Sequence, residues 1–217
     1  PDTDTDTDTD TEQKDIPAAA NATRPAEFEE FWKSYPKRDG SNPKKPAEKK
    51  FIAACKSGAD PKTVLPGGQT LLMTAARSGN LEAVKMLLDR GVDPNAKEKT
   101  NQETALMWAA SENHPEVVKV LVARGANVHA KTDSWTDVQA VSPHGVLDYN
   151  FAVPTGSDTP LLFAARVGDL ESVKLLVAAG ANVNDEDAWG VSVTVLAAHS
   201  GFADVLDFVL EKGADAN

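Results

Sequence analysis

Apolar residues recur with a helical period along much of this chain, and the stretch from Gly68 to Lys97 shows the pattern well. Its second half predicts an amphipathic helix, because apolar residues recur at i, i+3, i+6 and i+7. These residues are Leu81, Val84, Leu87 and Leu88. A shorter helix, capped by Thr70, is predicted before it. Gly91 fits the left-handed position that ends a helix, so the stretch holds one helix pair.

The same helix pair recurs along the chain. Alanine pairs mark the shorter helix and glycines end the longer one, at Ala75-Ala76, Ala109-Ala110, Ala164-Ala165 and Ala197-Ala198, and at Gly91, Gly125, Gly180 and Gly213. The steps between these glycines are 34, 55 and 33 residues. A period near 33 is typical of stacked helix–turn–helix units, which bury their apolar stripes only against neighbours. The pattern therefore predicts a mainly α-helical solenoid with four full repeats.

The repeated motifs resemble those of ankyrin repeats. T-A-L-M-W-A-A at Thr104–Ala110 and T-P-L-L-F-A-A at Thr159–Ala165 carry the resemblance, with V-K-L-L-V-A-A-G-A-N-V-N at Val173–Asn184. It covers Gly68–Asn217 and implies helix pairs joined by hairpin loops, with a concave groove that binds proteins. Ankyrin repeats usually carry a histidine after Thr-Pro-Leu, and here that position holds apolar residues, namely Met73, Met107, Leu162 and Val195. This departure puts polar bonding between repeats in doubt, but not the fold.

Composition divides the chain into three regions. Residues 1–27 form an acidic Asp/Thr-rich stretch with a net charge of −6, for which we expect a disordered tail. A calcium site is the alternative there, but the glycine turn and the closing glutamate of a calcium loop are missing. Residues 28–65 carry +4, and residues 66–217, the predicted repeat domain, carry −9. The acidic repeats argue against nucleic-acid binding by that part of the chain.

Two interpretations remain open for residues 28–65. Gly58-Ala59-Asp60-Pro61 echoes the ending at Gly91, which favours a degenerate N-terminal capping repeat. Alternatively, F-E-E-F-W-K-S-Y-P-K-R-D-G-S-N-P-K-K-P-A-E-K-K-F at Phe28–Phe51 is similar to a short helical segment of phage and prophage proteins, some of them associated with replication. The segment 28–56 would then be DNA-associated and contact phosphates through its basic residues. Those residues are Lys37, Arg38, Lys44, Lys45, Lys49 and Lys50.

The 55-residue glycine step exceeds the 33-residue period by 22 residues, which predicts an insertion at residues 132–157 between the second and third repeats. Such insertions fall in the hairpins and often serve binding. The insertion contains Trp135 and Tyr149, too apolar for a free linker. It either folds back on the repeats or offers an aromatic contact to a partner.

No catalytic, cofactor or metal motif is present in the sequence. The four histidines show no i, i+4 pair, and no nucleophile motif or glycine-rich phosphate loop occurs. The single cysteine, Cys55, excludes an internal disulfide and a cysteine-based zinc site. We therefore expect a non-enzymatic protein that needs no cofactor or metal.

The resemblance implies that a partner protein contacts the hairpin tips and the two residues after each alanine pair. The predicted contacts are Gln69, Arg77, Ser78, Thr100, Asn101, Glu103, Ser111, Glu112, Trp135, Tyr149, Asp158, Arg166, Val167, Ala188, Trp189, Val191, His199 and Ser200. Aromatic and arginine side chains dominate interface energetics, so Trp189 is the first choice for an anchor. Packing of Trp189 against the preceding hairpin is the alternative.

The last outer helix is expected to show more apolar surface, at Leu206 and Phe208, than a terminal repeat usually does. This suggests that the sequence is a fragment with further repeats. Details of the last two repeats look similar to long bacterial ankyrin proteins, which predicts a bacterial cytoplasmic or periplasmic protein. We expect a monomer, since nothing in the sequence marks an oligomer, and no apolar run is long enough to span a bilayer.

Overall fold

The computed structural model describes residues 60–65, 67–139 and 151–216. Within these ranges the chain forms four helix pairs and one two-stranded sheet. The inner helices are α1 Leu71–Arg77, α3 Ala105–Ser111, α5 Pro160–Val167 and α7 Val193–Ser200. The outer helices are α2 Leu81–Asp89, α4 Pro115–Ala123, α6 Leu170–Ala178 and α8 Ala203–Glu211. The expected mainly α-helical repeat stack is confirmed.

Each inner helix packs on the inner helix of the next repeat, and α2, α4, α6 and α8 form a second layer in the same order. The core runs without interruption through all four repeats. Its alanines explain the close approach of the helices: Ala76, Ala110 and Ala165 are fully buried between neighbouring inner helices. Small side chains at these positions leave room for the larger residues around them to interlock.

Side chains cap the inner helices in every repeat. Thr70, Thr104, Thr159 and Ser192 each accept a hydrogen bond from the backbone N–H three residues later. In the first two repeats the cap is reciprocal, because the N–H of Thr70 donates to the sulfur of Met73 and the N–H of Thr104 to the sulfur of Met107. The methionines thus satisfy a backbone donor within the repeat, where the sequence predicted only an apolar substitute.

The insertion forms an antiparallel hairpin between the second and third repeats. Its strands are β1 Ser134–Gln139 and β2 Phe151–Gly156, with Ser134 opposite Gly156 and Gln139 opposite Phe151. The hairpin therefore extends the ordinary connection between α4 and α5, at the place where the sequence predicted an insertion. Tyr149 lies outside the described residues.

Neighbouring hairpins are joined by backbone hydrogen bonds. The N–H of Lys99 donates to the carbonyl of Gly67, that of Asp133 to Asn101, and that of Ala188 to Gly156. The hairpins accordingly form a row alongside the inner helices. The predicted acidic tail, the segment 28–56 and its six basic candidate residues lie outside the described residues.

Candidate functional site

The hairpins and the inner helices share one surface, which we call the inner face. All the predicted partner contacts except Tyr149 are among the described residues. The ends of the inner helices carry Arg77, Ser111, Arg166, Val167, His199 and Ser200, with Ser78 and Glu112 as the next residues of the first two. The hairpins carry Gln69, Thr100, Asn101, Glu103, Trp135, Asp158, Ala188, Trp189 and Val191. The hydrogen bond from Arg166 to Asp158 joins a helix-end residue to a hairpin residue.

In the first half of the inner face, four side chains form a connected group. The guanidinium of Arg77 lies 5.3 Å from the centre of the Trp108 ring. Its Nε donates to Glu112 Oε1 at 3.3 Å, and the indole N–H of Trp108 donates to Glu103 Oε2 at 2.5 Å. The group links a hairpin residue, Glu103, to the ends of two inner helices. Arg77 and Glu112 form a charge pair, and the carboxylate of Glu103 accepts the indole N–H of Trp108, so a partner would meet side chains that are already held in place.

In the second half, Arg166 is held by its own repeat. Its Nη2 donates to Asp158 Oδ1 at 2.6 Å, and its guanidinium lies 5.5 Å from the centre of the Phe163 ring. Burial raises the pKa of Asp158, the charge of Arg166 opposes that rise, and the nearby carboxylate of Asp187 adds to it. Arg166 is therefore not a freely moving contact, because its charge already compensates a largely buried carboxylate.

Sequence analysis missed the two aromatic residues that these arginines cover. Trp108 is 9% exposed and Phe163 is partly exposed, and each precedes the alanine pair of its inner helix. The sequence did contain a signal for these pairs. An aromatic residue just before the alanine pair can stack with an arginine at the end of an inner helix. That arginine lies on the same helix for Phe163 and on the preceding inner helix for Trp108.

The indole of Trp189 is 61% exposed, which disagrees with the alternative that it packs against the preceding hairpin. The backbone at Trp189 is held by a side chain of the same hairpin, because Asp187 Oδ1 accepts the N–H groups of Trp189 and Val191 at 2.8 and 2.9 Å. Trp135 on β1 is 41% exposed. His199 and Ser200 are also exposed, as predicted for residues after an alanine pair.

A buried carboxylate shapes the hairpin that precedes α3. Glu98 is 2% exposed and accepts three backbone N–H groups, from Thr100 and Asn101 at 2.5 Å and from Glu103 at 3.2 Å. Burial by itself would raise the pKa of Glu98, but these hydrogen bonds outweigh it and hold the pKa below its usual value. Glu98 therefore fixes the backbone that presents Thr100, Asn101 and Glu103.

Within the described ranges, no group of three or more His, Cys, Asp or Glu side chains has the arrangement of a metal site. In the same ranges, no helix combines the length and the apolar character that crossing a bilayer requires.

Comparison with known proteins gives a family match and two relatives. The family model described as ankyrin repeats (3 copies) matches residues 45–132 and 140–217, so all of β1 falls between the two matched stretches. The bovine protein named cyclin-dependent kinase 4 inhibitor B is 30% identical over 149 residues, which cover 69% of this chain and 96% of that protein. The rat protein of the same name is 29% identical over 143 residues, covering 66% of this chain and 92% of that protein.

Two finer expectations receive no support from these comparisons. Both relatives are mammalian, so the similarity to bacterial ankyrin proteins gains nothing from them. The similarity of residues 28–51 to phage proteins is likewise unsupported, and its last residues fall inside the ankyrin match that begins at residue 45.

Proposed function

This chain belongs to the ankyrin repeat family, and from that premise we propose that it binds a partner protein through the inner face. Ankyrin repeat proteins are non-enzymatic and act in protein–protein interaction, which gives the class of function. A solenoid of this kind offers an extended surface rather than a deep pocket. Beyond this class of function, the proposal specifies the surface that the partner contacts.

One observation carries the choice of the inner face. Two side-chain groups there, around Arg77 and around Arg166, join hairpin residues to the ends of the inner helices. Paired charges and stacked aromatics hold these side chains in place before a partner arrives, which lowers the entropic cost of binding. Trp189 stands beside the second group as an exposed aromatic anchor.

The test is capture of a partner from cell lysate by the full chain and by single variants, followed by affinity measurement with the purified partner. Trp189→Ala should weaken binding by about tenfold or more if it is an interface anchor. The control is Leu210→Ala, which removes a 39% exposed apolar side chain from an outer helix. The proposal is wrong if Trp189→Ala and Arg77→Ala leave the affinity unchanged while substitutions on the outer helices reduce it.

Arg166→Ala is a poor probe of binding, because it also leaves the buried carboxylate of Asp158 without its partner. Arg166→Ala should therefore lower thermal stability as well as any affinity. The thermal midpoint of each variant should be measured beside its affinity, so that loss of fold is not taken for loss of contact.

A cyclin-dependent kinase is the first named partner to test. The two relatives are inhibitors of cyclin-dependent kinase 4 by name, and the similarity spans almost their whole length. Purified cyclin-dependent kinase 4 should bind the immobilised chain, and Trp189→Ala should reduce the binding. Absence of binding would remove this partner while leaving the inner face to be tested with others.

For residues 28–65 we propose a capping repeat rather than a DNA-associated segment. The family match begins at residue 45, inside this segment, and supports that choice. Removing residues 1–65 should then lower the stability of the first described repeat, seen as faster amide hydrogen exchange in α1 and α2. Steeply salt-dependent DNA binding that the same deletion abolishes would instead favour the DNA-associated alternative.

A further inference from the structure

Two exposed tryptophans on adjacent hairpins lie among carboxylates. We propose that Trp135 and Trp189 together dock a lysine- or arginine-bearing segment of the partner protein. The inference rests on the proposed function, since it specifies which part of the partner the hairpins contact. Trp135 is 41% exposed and Trp189 is 61% exposed, and these are the two most exposed aromatic side chains among the described residues.

Backbone pairing brings the two tryptophans near each other. Ser134 pairs with Gly156 across the hairpin of β1 and β2. The N–H of Ala188 donates to the carbonyl of the same Gly156 at 2.8 Å. Trp135 and Trp189 each follow one residue later, after Ser134 and Ala188, so their backbones lie on the two sides of the single strand β2. Neighbouring strands in a sheet are about 4.8 Å apart, so two such spacings, roughly 10 Å, separate the two backbones, a distance that one bound peptide segment can span.

Hydrogen bonds within the hairpin hold the backbone that carries Trp189. Asp187 accepts the N–H groups of Trp189 and Val191 with its side chain, and the N–H of Gly190 with its carbonyl at 3.1 Å. A bridge between Glu186 and Ser192 closes the hairpin below. An aromatic side chain on such a turn loses little further freedom when a partner covers it.

The segments that carry the two tryptophans are acidic. The stretches 132–136 and 182–192 contain four carboxylates and no lysine or arginine: Asp133, Asp185, Glu186 and Asp187. Asp133 and Glu186 are exposed to solvent. Arg166, the cation at the base of the hairpin, is bound to Asp158 at 2.6 Å. The local field therefore attracts cations and repels anions.

A basic segment suits both features of this surface. Lysine and arginine side chains are attracted to the face of an indole ring, and they gain further from neighbouring carboxylates. The planar guanidinium of arginine can stack on the indole ring while its N–H groups donate hydrogen bonds to a carboxylate. An acidic segment would meet repulsion from the carboxylates, and a neutral one would gain only apolar contact.

The direct test measures fluorescence anisotropy of a labelled twelve-residue peptide of alternating arginine and serine, titrated with the full chain at low salt. A matched peptide with glutamine in place of each arginine is the control probe. The arginine peptide should bind at least tenfold more tightly than the glutamine peptide. Trp135→Ala and Trp189→Ala should each weaken its binding by about tenfold, the range expected for aromatic anchors. Unchanged binding by the Trp135→Ala/Trp189→Ala double variant would overturn the proposal.

A second comparison separates the local carboxylates from net charge. The double variant Asp133→Asn/Glu186→Gln and the double variant Asp207→Asn/Glu211→Gln change the net charge equally, but the second pair lies on the outer helix α8. The first pair should weaken peptide binding several-fold and flatten its dependence on salt, while the second changes it less than twofold. Equal losses from both pairs would mean attraction by overall charge and would overturn the proposal.

Capture of the partner and binding of the arginine peptide together distinguish a failure of this inference from a failure of the proposed function. If the partner is still captured through the inner face but the arginine peptide does not bind, then the docking of a basic segment is wrong and the inner face stands. If Trp189→Ala and Arg77→Ala leave capture unchanged while outer-helix substitutions reduce it, and the Trp135→Ala/Trp189→Ala double variant binds the peptide as the wild type does, then both are wrong.

Discussion

Met73 and Met107 lie where ankyrin repeats usually carry histidine, and their sulfur atoms accept the N–H groups of Thr70 and Thr104. A thioether is a weak acceptor, but it is flexible enough to reach a backbone donor while its carbon atoms fill the core. Both methionines are fully buried. At these two positions one side chain therefore supplies both apolar volume and a partner for the cap.

Glu98 is a buried polar residue that holds the backbone of its hairpin. Its carboxylate bonds three N–H groups of the hairpin that carries Glu103. Because these bonds favour the charged form, the pKa of Glu98 lies lower in the folded chain than in the unfolded chain. Its contribution to stability is therefore fully present above the unfolded pKa and is lost as pH falls through the folded pKa.

We predict that Glu98→Gln lowers the free energy of unfolding by about 1–3 kcal/mol at pH 7, the range for hydrogen bonds to a charged group. The difference between wild type and Glu98→Gln should shrink as the pH drops below the unfolded value of about 4.3. Urea denaturation at pH 7 and pH 3 measures both quantities. Glu211→Gln, at an exposed position on α8, is the control and should change stability by less than about 0.5 kcal/mol. A pH-independent difference would contradict the prediction.

At the scale of helices and hairpins, the contact between one repeat and the next fixes how the elements stack. The ring of His114, at the start of α4, lies against Gly79, and its Nε2 is 3.1 Å from the carbonyl oxygen of Arg77. Gly79 has a φ of +70°, and a Cβ there would lie 2.6 Å from the His114 ring. Phe202 occupies the equivalent place over Gly168 in the last two repeats. In both cases, neighbouring repeats therefore contact each other through an aromatic ring that packs on a glycine.

We predict that Gly79→Ala destabilises the protein by more than Gly91→Ala does. Both residues have a positive φ, so each alanine incurs the strain of the left-handed region, about 1–2 kcal/mol. A Cβ on Gly91 would meet nothing within 4 Å, so only Gly79→Ala also displaces a ring. Overpacking of this kind typically adds about 1–3 kcal/mol. Urea denaturation of the two variants measures the difference, and equal losses would show that the His114 contact contributes nothing.

The long hairpin is an addition to the repeat stack rather than part of its support. The bonds at its base involve the residues just outside the strands: the N–H of Thr132 donates to the carbonyl of Asp158, and the N–H of Asp133 donates to the carbonyl of Asn101. Ser134 and Gly156 are partners at that base, close enough to be joined directly. The loop-closure entropy depends only slowly on loop length.

We therefore predict that deleting residues 135–155 preserves the fold. The free energy of unfolding should change by less than about 1 kcal/mol, since doubling a loop alters closure by only about 0.6 kcal/mol. Circular dichroism and thermal denaturation would show this. The same deletion removes Trp135 and should weaken binding of the arginine peptide by about tenfold, as Trp135→Ala does. A fall in the thermal midpoint of more than about 8 °C would mean that the hairpin supports the repeats.

At the scale of the whole molecule, the place of a repeat in the stack decides how much of it is buried. Leu162 in α5 is fully buried between neighbouring inner helices, whereas Val195, at the same position of α7, is 48% exposed. On the outer side of the last repeat, Leu206 and Phe208 are partly exposed, as the sequence led us to expect, and Leu210 is 39% exposed. Lys174 and Lys212 lie over the ring of Phe208 and cover part of this apolar surface.

We predict that Leu162→Ala lowers the free energy of unfolding by about 2–5 kcal/mol, because it opens a cavity in the core. Val195→Ala should cost less than about 1 kcal/mol, since it removes atoms that are already half in water. Urea denaturation of both variants provides the comparison. Similar losses would show that Val195 is covered in solution.

The sequence by itself determined the repeat and its position along the chain. The spacing of glycines, alanine pairs and apolar residues follows the helical period, and each helix depends mainly on residues near it in the sequence, so its start and end can be predicted locally. The same spacing located the insertion, because any excess over the period must fall between two repeats.

Tertiary structure alone decided which candidate residues are available. Arg166 and Trp189 looked alike as contacts in the sequence, yet Arg166 is bound by Asp158 while Trp189 is exposed. The insertion gave no sign that its ends pair as strands, or that Ala188 would bond to Gly156 and join the hairpin of Trp189 to β2. Pairing and burial of this kind depend on residues far apart in the chain, and periodicity carries no information about them.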